Sequence, residues 1–407
     1  MTFDEIGLHE ELLEGLSCMG FEKATPIQEK TIPETLKGKD IIGCAQTGTG
    51  KTGAFILPIL HKIKTKAYKN TSTLIIVPTR ELALQIDQQV QGLAYFTGAT
   101  SITLYGGGKA GDFNAQKKAM AQGVDIIIAT PGKLISHLIM KNISVDTIEN
   151  LIFDEADRML DMGFYEDICR VISFLPEKRQ NLMFSATMPP KIRDLAKRFL
   201  TDPIEVNIAI SKPSAGVDQS VYMAYEAQKT PLITGVINDK PEFKSILVFP
   251  STNRKVNGIV KSLKGNGYSV KGISSDLEQA EREEVLLNFT TKKVRVLVAT
   301  DVISRGIDIK DINLVINYDV PGNPADYVHR VGRTARADTK GAAITLINEE
   351  DMNKFRNIEQ LIGSSIKKLP MPEALGEAPV WKEKSKHKKK KPYGKKKFYN
   401  KKKKPSN

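Results

Sequence analysis

The chain has 407 residues, 41% of them hydrophobic, which is more than one ordinary domain needs and enough for two sizeable cores. No run approaches the roughly 18 to 20 apolar residues of a membrane span. The start, MTFDEIGLHEELLEGL, is acidic where a signal peptide would be basic and then apolar, and Cys18, Cys44 and Cys169 lack the spacing of a zinc site or a disulfide framework, so a cytoplasmic protein is expected. The net charge of +13 is a local property: residues 382–404 hold 14 lysines and one acid, Glu383, and the rest of the chain is balanced.

In chain order, the first two hundred residues repeat a short apolar run, a small or polar turn and a helical stretch. The runs lie in DIIGCAQTGTGKT, TLIIVPTRELALQI, VDIIIATPGKLISHL, NLIFDEAD and NLMFSAT. Runs rich in Ile, Val and Leu that alternate with helix-length segments predict a parallel sheet of βα units. Ligands bind such sheets at the carboxyl ends of the strands, where these polar turns fall. The turn AQTGTGKT, residues 45–52, follows a strand predicted over 40–44 and leads into the apolar helix GAFILPIL. It fits the phosphate-loop pattern with Ala45 at the first glycine position. In that pattern the backbone of Ala45, Gln46, Thr47, Gly48, Thr49 and Gly50 surrounds the phosphates, Lys51 reaches the β and γ oxygens, and Thr52 coordinates Mg²⁺. This half is expected to bind a nucleoside triphosphate.

Further on, ENLIFDEADRMLDM (149–162) ends an apolar run in Asp154, Glu155 and Asp157. Carboxylates this close repel one another, a conflict relieved by a cation or by raised pKa values. With a Mg²⁺-nucleotide in the loop, Asp154 is expected to hold the ion, usually through water, and Glu155 to orient or deprotonate the attacking water. After TDPIEVNIAISKPSAGVDQS the pattern restarts in SILVFPST, YSVKGISSD, VRVLVATDVISRGIDI, LVINYDVP and AAITLI. The expected organisation is a first α/β domain over 1–207, a linker over 208–219 that permits relative motion, and a second domain over 220–369. Residues 370–407 are expected to be a disordered lysine-rich tail, because its charges repel and it offers little apolar surface. Tyr393, Phe398 and Tyr399 interrupt its lysines, a composition suited to phosphate contact and base stacking.

Taken together, these motifs resemble those of the DEAD-box RNA helicases over roughly residues 3–362, in family order and near family spacing. The resemblance implies two tandem RecA-like domains, ATP and Mg²⁺ as cofactors, RNA as partner (ribosomal RNA or ribonucleoprotein particles among the candidates) and no membrane. The implied activity is ATP hydrolysis coupled to local separation of short RNA duplexes or to remodelling of RNA–protein complexes. Phe3 and GFEKATPIQ resemble the adenine-reading motif, in which Phe21 stacks on the base and Gln28 bonds its edge. PTRELA with Pro78, Thr79 and Arg80, the pair Gly107-Gly108, and TPGK with Thr130, Pro131 and Gly132 resemble first-domain RNA contacts. SAT, residues 185–187, resembles the motif that couples nucleotide state to closure, with Ser185, Thr187, Asp157 and His329 as the implied coupling residues. In the second half, Thr252, Gln279, Arg282 and Thr300 are implied RNA contacts and Asp308 an ATP-ribose contact. In YVHRVGRTAR (327–336), Arg333 and Arg336 are implied arginine fingers; three residues apart, they would share one helical face.

Three departures from the family pattern stand out: Lys133 where arginine is usual, Ser274-Ser275-Asp276 in place of His-Gly-Asp, and Ala335 in place of glycine. A lysine offers a point charge where an arginine offers a planar fork. Two other readings remain at this point. One is a processive DNA-translocating helicase sharing the phosphate loop. The other is an RNA-annealing or ribosome-docking protein that works through its tail.

Overall fold

A computed structural model describes residues 1–46, 48–68, 70–107, 110–208, 216–274, 277–301, 312–334 and 341–382. Two sheets of seven strands organise them, and every strand pairing described within the sheets is parallel. The first comprises β1 Ile41–Cys44, β2 Thr73–Ile76, β3 Ser101–Leu104, β4 Ile126–Ala129, β5 Asn150–Phe153, β6 Gln180–Ser185 and β7 Ile204–Asn207, in the order β3-β4-β2-β5-β6-β1-β7. The second comprises β8 Val217–Met223, β9 Ile246–Phe249, β10 Val270–Ile273, β11 Val296–Ala299, β12 Leu314–Asn317, β13 Gly341–Ile347 and β14 Lys367–Leu369, in the order β10-β11-β9-β12-β13-β8-β14.

The inner strands are apolar throughout because helices cover both faces of each sheet. Alternate residues of one strand enter opposite cores: Leu151 and Phe153 pack on one side of the first sheet and Ile152 on the other, while Leu247 and Phe249 are separated from Ile246 and Val248 in the second. Gly43 in β1 is required by packing, since a Cβ there would stand 2.5 Å from the Phe184 ring of the adjacent strand β6.

Parallel pairing sends the carboxyl ends of all strands in a sheet to the same edge. Cys44 pairs with Ser185 and Phe153 with Met183, so the loops that follow β1, β5 and β6 emerge side by side. That edge collects the polar turns of the sequence.

Two boundaries differ from expectation. Strand β8 begins at Val217, inside the segment read as linker. Residues 370–382, read as the start of a disordered tail, pack on the second domain. The Gln228 side chain donates to the carbonyls of Leu375 and Glu377, both at 2.8 Å. Trp381 meets the Phe355 ring edge-on at 6.3 Å and carries Lys368 and Arg356 over its rings at 4.5 and 5.1 Å. Its apolar area outweighs the local lysine charge. The lysine tracts themselves, within 383–407, lie outside the described residues.

Candidate active site and nucleic-acid interface

The phosphate loop joins β1 to the helix Lys51–Lys66. Gly48 and Gly50 have φ of +85° and +91°, the left-handed backbone that only glycine adopts freely. Ala45 lies outside that region, so the first glycine of the pattern is dispensable here. Its carbonyl accepts from the buried Lys51 ammonium at 2.5 Å, while its N–H donates to Ser185 at 3.0 Å. Thr49 closes the turn with its hydroxyl on the Gln46 carbonyl at 2.6 Å, and Thr52 sits half-buried in the first turn of the helix. Thr47 lies outside the described residues.

Gln28 does more than its sequence reading allowed. Its Oε1 accepts from the Thr25 N–H at 2.9 Å and its Nε2 donates to the Gly50 carbonyl at 3.0 Å, tying the adenine-motif helix Pro26–Leu36 to the phosphate loop. A Cβ on Gly50 would lie 2.7 Å from that amide nitrogen. Phe21, half exposed, keeps its ring available for stacking.

The three carboxylates after β5 separate. Asp157 accepts from the Thr187 N–H and hydroxyl at 2.9 and 2.8 Å, and its own N–H donates to the Ser185 hydroxyl at 3.2 Å, which in turn donates to the Thr187 carbonyl at 2.8 Å. Glu155 stands in left-handed backbone, φ +52°, unusual for a residue with a side chain and costing on the order of 1–3 kcal/mol. Its N–H donates to Asp154 at 2.9 Å, and its carboxylate pairs with the buried Arg158 guanidinium at 3.1 Å. Asp154 is buried, and burial pushes its carboxyl up to about 7 against the opposing pull of Lys51. The group expected to hold a cation is thus the one with a desolvated carboxylate. No cluster of three or more metal-ligating side chains exists among the described residues, so the trio does not act as a joint cage.

Across the cleft the second domain contributes the helix Pro324–Val331. Its His329, together with Asp326 and Arg333, faces Glu155, Asp157 and Thr187 in one shared cavity. The helix ends at Val331, so Arg333 lies beyond it and not on the expected helical face. Arg336 and Asp308 lie outside the described residues, as do Ala335, Ser275 and Asp276.

The implied RNA contacts cluster at helix starts. Thr79 precedes Arg80–Leu93, Thr130 precedes Pro131–Ile139, Thr252 precedes Asn253–Gly265, and Gln279 opens Gln279–Thr290. Thr79 and Thr252 accept from the Leu82 and Lys255 N–H groups at 3.3 and 3.4 Å. Helix N-termini offer unpaired N–H groups and positive potential, both suited to phosphate. Gly107 has φ +83°, Thr300 is buried after β11, and Gly108 lies outside the described residues. Arg80 and Gln279 also reach across the cleft: Arg80 pairs with Glu283 at 2.6 Å over the Tyr105 ring, and Gln279 donates to Glu81 at 3.4 Å. Lys133 lies over the Phe113 ring at 4.7 Å.

Sequence reasoning missed Arg158, Arg330, Asp301 and Asp319. Arg158 was detectable, three residues after Glu155 on a helix start. Arg330 reads as a solvated cation within an arginine-rich stretch, yet it is buried.

A family model described as DEAD/DEAH box helicase matches residues 25–195, and one described as helicase conserved C-terminal domain matches 228–338. The ATP-dependent RNA helicase CshA of Listeria monocytogenes is 41% identical over 383 residues, 94% of this chain and 71% of that protein. The chain belongs to the DEAD-box RNA helicase family. Among solved structures, this helicase is similar to S. cerevisiae Dbp5 bound to RNA and ADP BeF3, with a TM-score of 0.80 at 30% identity over 91% of this chain and 95% of that one. A DEAD box protein from Methanococcus jannaschii gives 0.53 at 36% identity over 91% and 99%.

If Gln28 supports the phosphate loop as well as reading the base, Gln28→Ala in this helicase should weaken inorganic tripolyphosphate binding along with ATP binding, each by about tenfold or more, the loss of one to two hydrogen bonds. Competition calorimetry with the two ligands checks this; a loss confined to ATP would restrict Gln28 to the adenine.

Proposed function

We propose that this ATP-dependent RNA helicase works by closing two half-sites on one nucleotide and one RNA strand. The observation that carries the reading is the shared cavity, in which Glu155, Asp157 and Thr187 of one domain face His329 and Arg333 of the other. In this reading the phosphate loop from Ala45 to Thr52 binds the triphosphate and Lys51 leaves the Ala45 carbonyl for its oxygens. Phe21 and Gln28 take the adenine. Asp308, Arg333 and Arg336 complete the site from the second domain, and the guanidiniums meet charge that develops on the γ-phosphate. Arg158 holds the Glu155 carboxylate aimed into the cavity, where it can accept a proton from the attacking water.

Mg²⁺ fits Asp154 and Thr52: a buried carboxylate raised to about 7 is one that a divalent cation would ionise, and a threonine hydroxyl is a hard oxygen donor. An ion held by these residues would supply charge neutralisation at the phosphates. Asp157, Ser185 and Thr187 transmit the state of this site to the rest of the first domain, with His329 facing them.

RNA runs over the helix starts at Thr79, Thr130, Thr252 and Gln279, with Gly107, Arg282 and Thr300 as further contacts, and so bridges both domains; Gly108 is an expected contact from its motif alone. The similarity to a relative solved with RNA and ADP BeF3 supports RNA as the partner. Because both ligands favour closure, each tightens the other. We assign 1–207 and 217–382 as the working domains, with the lysine tail as a non-specific RNA tether. A cytoplasmic location suits such a protein; no described helix is long and apolar enough to cross a membrane.

Glu155→Gln should keep ATP and RNA binding while lowering RNA-stimulated turnover by at least about 10²-fold, the scale of a lost general base. Steady-state hydrolysis at saturating RNA tests this, and turnover within a few-fold of wild type would remove Glu155 from the role. Ending the chain at Lys382 should leave the melting temperature unchanged and flatten the salt dependence of RNA binding, each lost phosphate contact removing roughly 0.7 from the log–log slope. Ending it at Leu369 should also lower the melting temperature, by strapless loss of Trp381 packing worth about 1–3 kcal/mol. Thermal melts and filter binding distinguish the two truncations, and identical melts would mean that residues 370–382 add no stability.

A further inference from the structure

The Arg330 side chain sits 4% exposed inside the second domain, on the helix that carries His329. Its fork grips Asp301 through two bonds of 2.6 Å, one from Nε and one from Nη2. The remaining nitrogen, Nη1, donates to the Asp319 carbonyl at 2.8 Å and to Asn317 Oδ1 at 3.2 Å, and the guanidinium lies over the Phe249 ring at 5.0 Å. Two of these partners, Asp301 and Asp319, lead to the loops read above as RNA contacts. Asp301 directly follows Thr300. The Asp319 carboxylate accepts from both the N–H and the hydroxyl of Ser251 at 2.8 Å, and Ser251 directly precedes Thr252. Lys229 and Lys255, at 2.9 and 2.8 Å, hold that carboxylate in place. On the other side, the Arg333 N–H donates to the Arg330 carbonyl at 3.1 Å, so the two residues move as one backbone unit.

We propose that Arg330 is a positioning residue that links the ATP-facing end of the second domain to its two RNA-facing loops, so that the placement of His329 and Arg333 and the placement of Thr300 and Thr252 are set together. This rests on the functional reading above. A buried scaffold cation needs only neutralisation, which Asp301 alone would supply. Arg330 instead uses all three nitrogens on two separate loops, a geometry that lysine cannot reproduce with one ammonium. A single rigid fork, bonded directly to the loop of Asp301 and through Asp319 to the loop of Ser251, makes the two shift together when the helix shifts, which is the physical requirement for coupling between two sites.

The test is the coupling factor, the ratio of RNA affinities with and without ADP-BeF3, measured by fluorescence anisotropy on the full chain. For Arg330→Lys the factor should fall by about tenfold or more, with RNA affinity in the absence of nucleotide and nucleotide affinity in the absence of RNA each within about threefold of wild type. If Arg330→Lys does not fold, Asp301→Asn, which keeps the volume and one acceptor, carries the same expectation. A folded variant with an unchanged factor overturns the proposal. So does an equal loss of RNA affinity with and without nucleotide, which would make Arg330 a brace of the loops alone. A wild-type factor of one would instead overturn the functional reading on which the proposal stands.

Discussion

Three carboxylates placed within four residues at the end of one strand must each find a different partner, and the chemistry of the first domain depends on how they do so. Asp157 is satisfied by neutral donors on Thr187, which binds the carboxylate stretch to the neighbouring loop after β6. Glu155 is held by a buried guanidinium and by strained backbone that faces it into the cleft. Asp154 is left desolvated beside Lys51. In the function proposed above, these separate partners suit separate tasks: transmission for Asp157, proton acceptance for Glu155 and ion holding for Asp154.

The second domain answers with cations and donors where the first is acidic. Arg333 and His329 face Glu155 and Asp157 in the shared cavity, and elsewhere Arg80 of the first domain pairs with Glu283 of the second. Charge on each side is therefore completed by the other domain. The same division holds along the helix starts, two from each domain, so in the proposed function a phosphate track is complete only when both are present.

Much of this was legible in the sequence because burial on both faces writes a parallel strand as an unbroken apolar run, and because turns at its carboxyl end must be small or polar. The phosphate loop, the DEAD stretch and the second-domain restart could be located on those grounds. What escaped depends on contacts between distant segments. The bond from Gln28 to the Gly50 carbonyl requires the helix Pro26–Leu36 and the phosphate loop to meet. Arg330 is indistinguishable from a surface cation until its five acceptor and ring contacts are seen. The packed strap of 370–382 was obscured by the charge that follows it, although Trp381 and Pro379 are apolar. Ala45 looked like a departure, yet its position does not need left-handed backbone, whereas those of Gly48 and Gly50 do.

The central claim is that hydrolysis waits for two half-sites to meet, and the distance between the domains measures it most directly. Spin labels on exposed positions of each domain, read by double electron–electron resonance, should give a broad distribution without ligand and with either RNA or a non-hydrolysable ATP analogue alone. Both ligands together should collapse it to one short distance. An unchanged distribution with both present, in a protein that still hydrolyses ATP, would contradict the account.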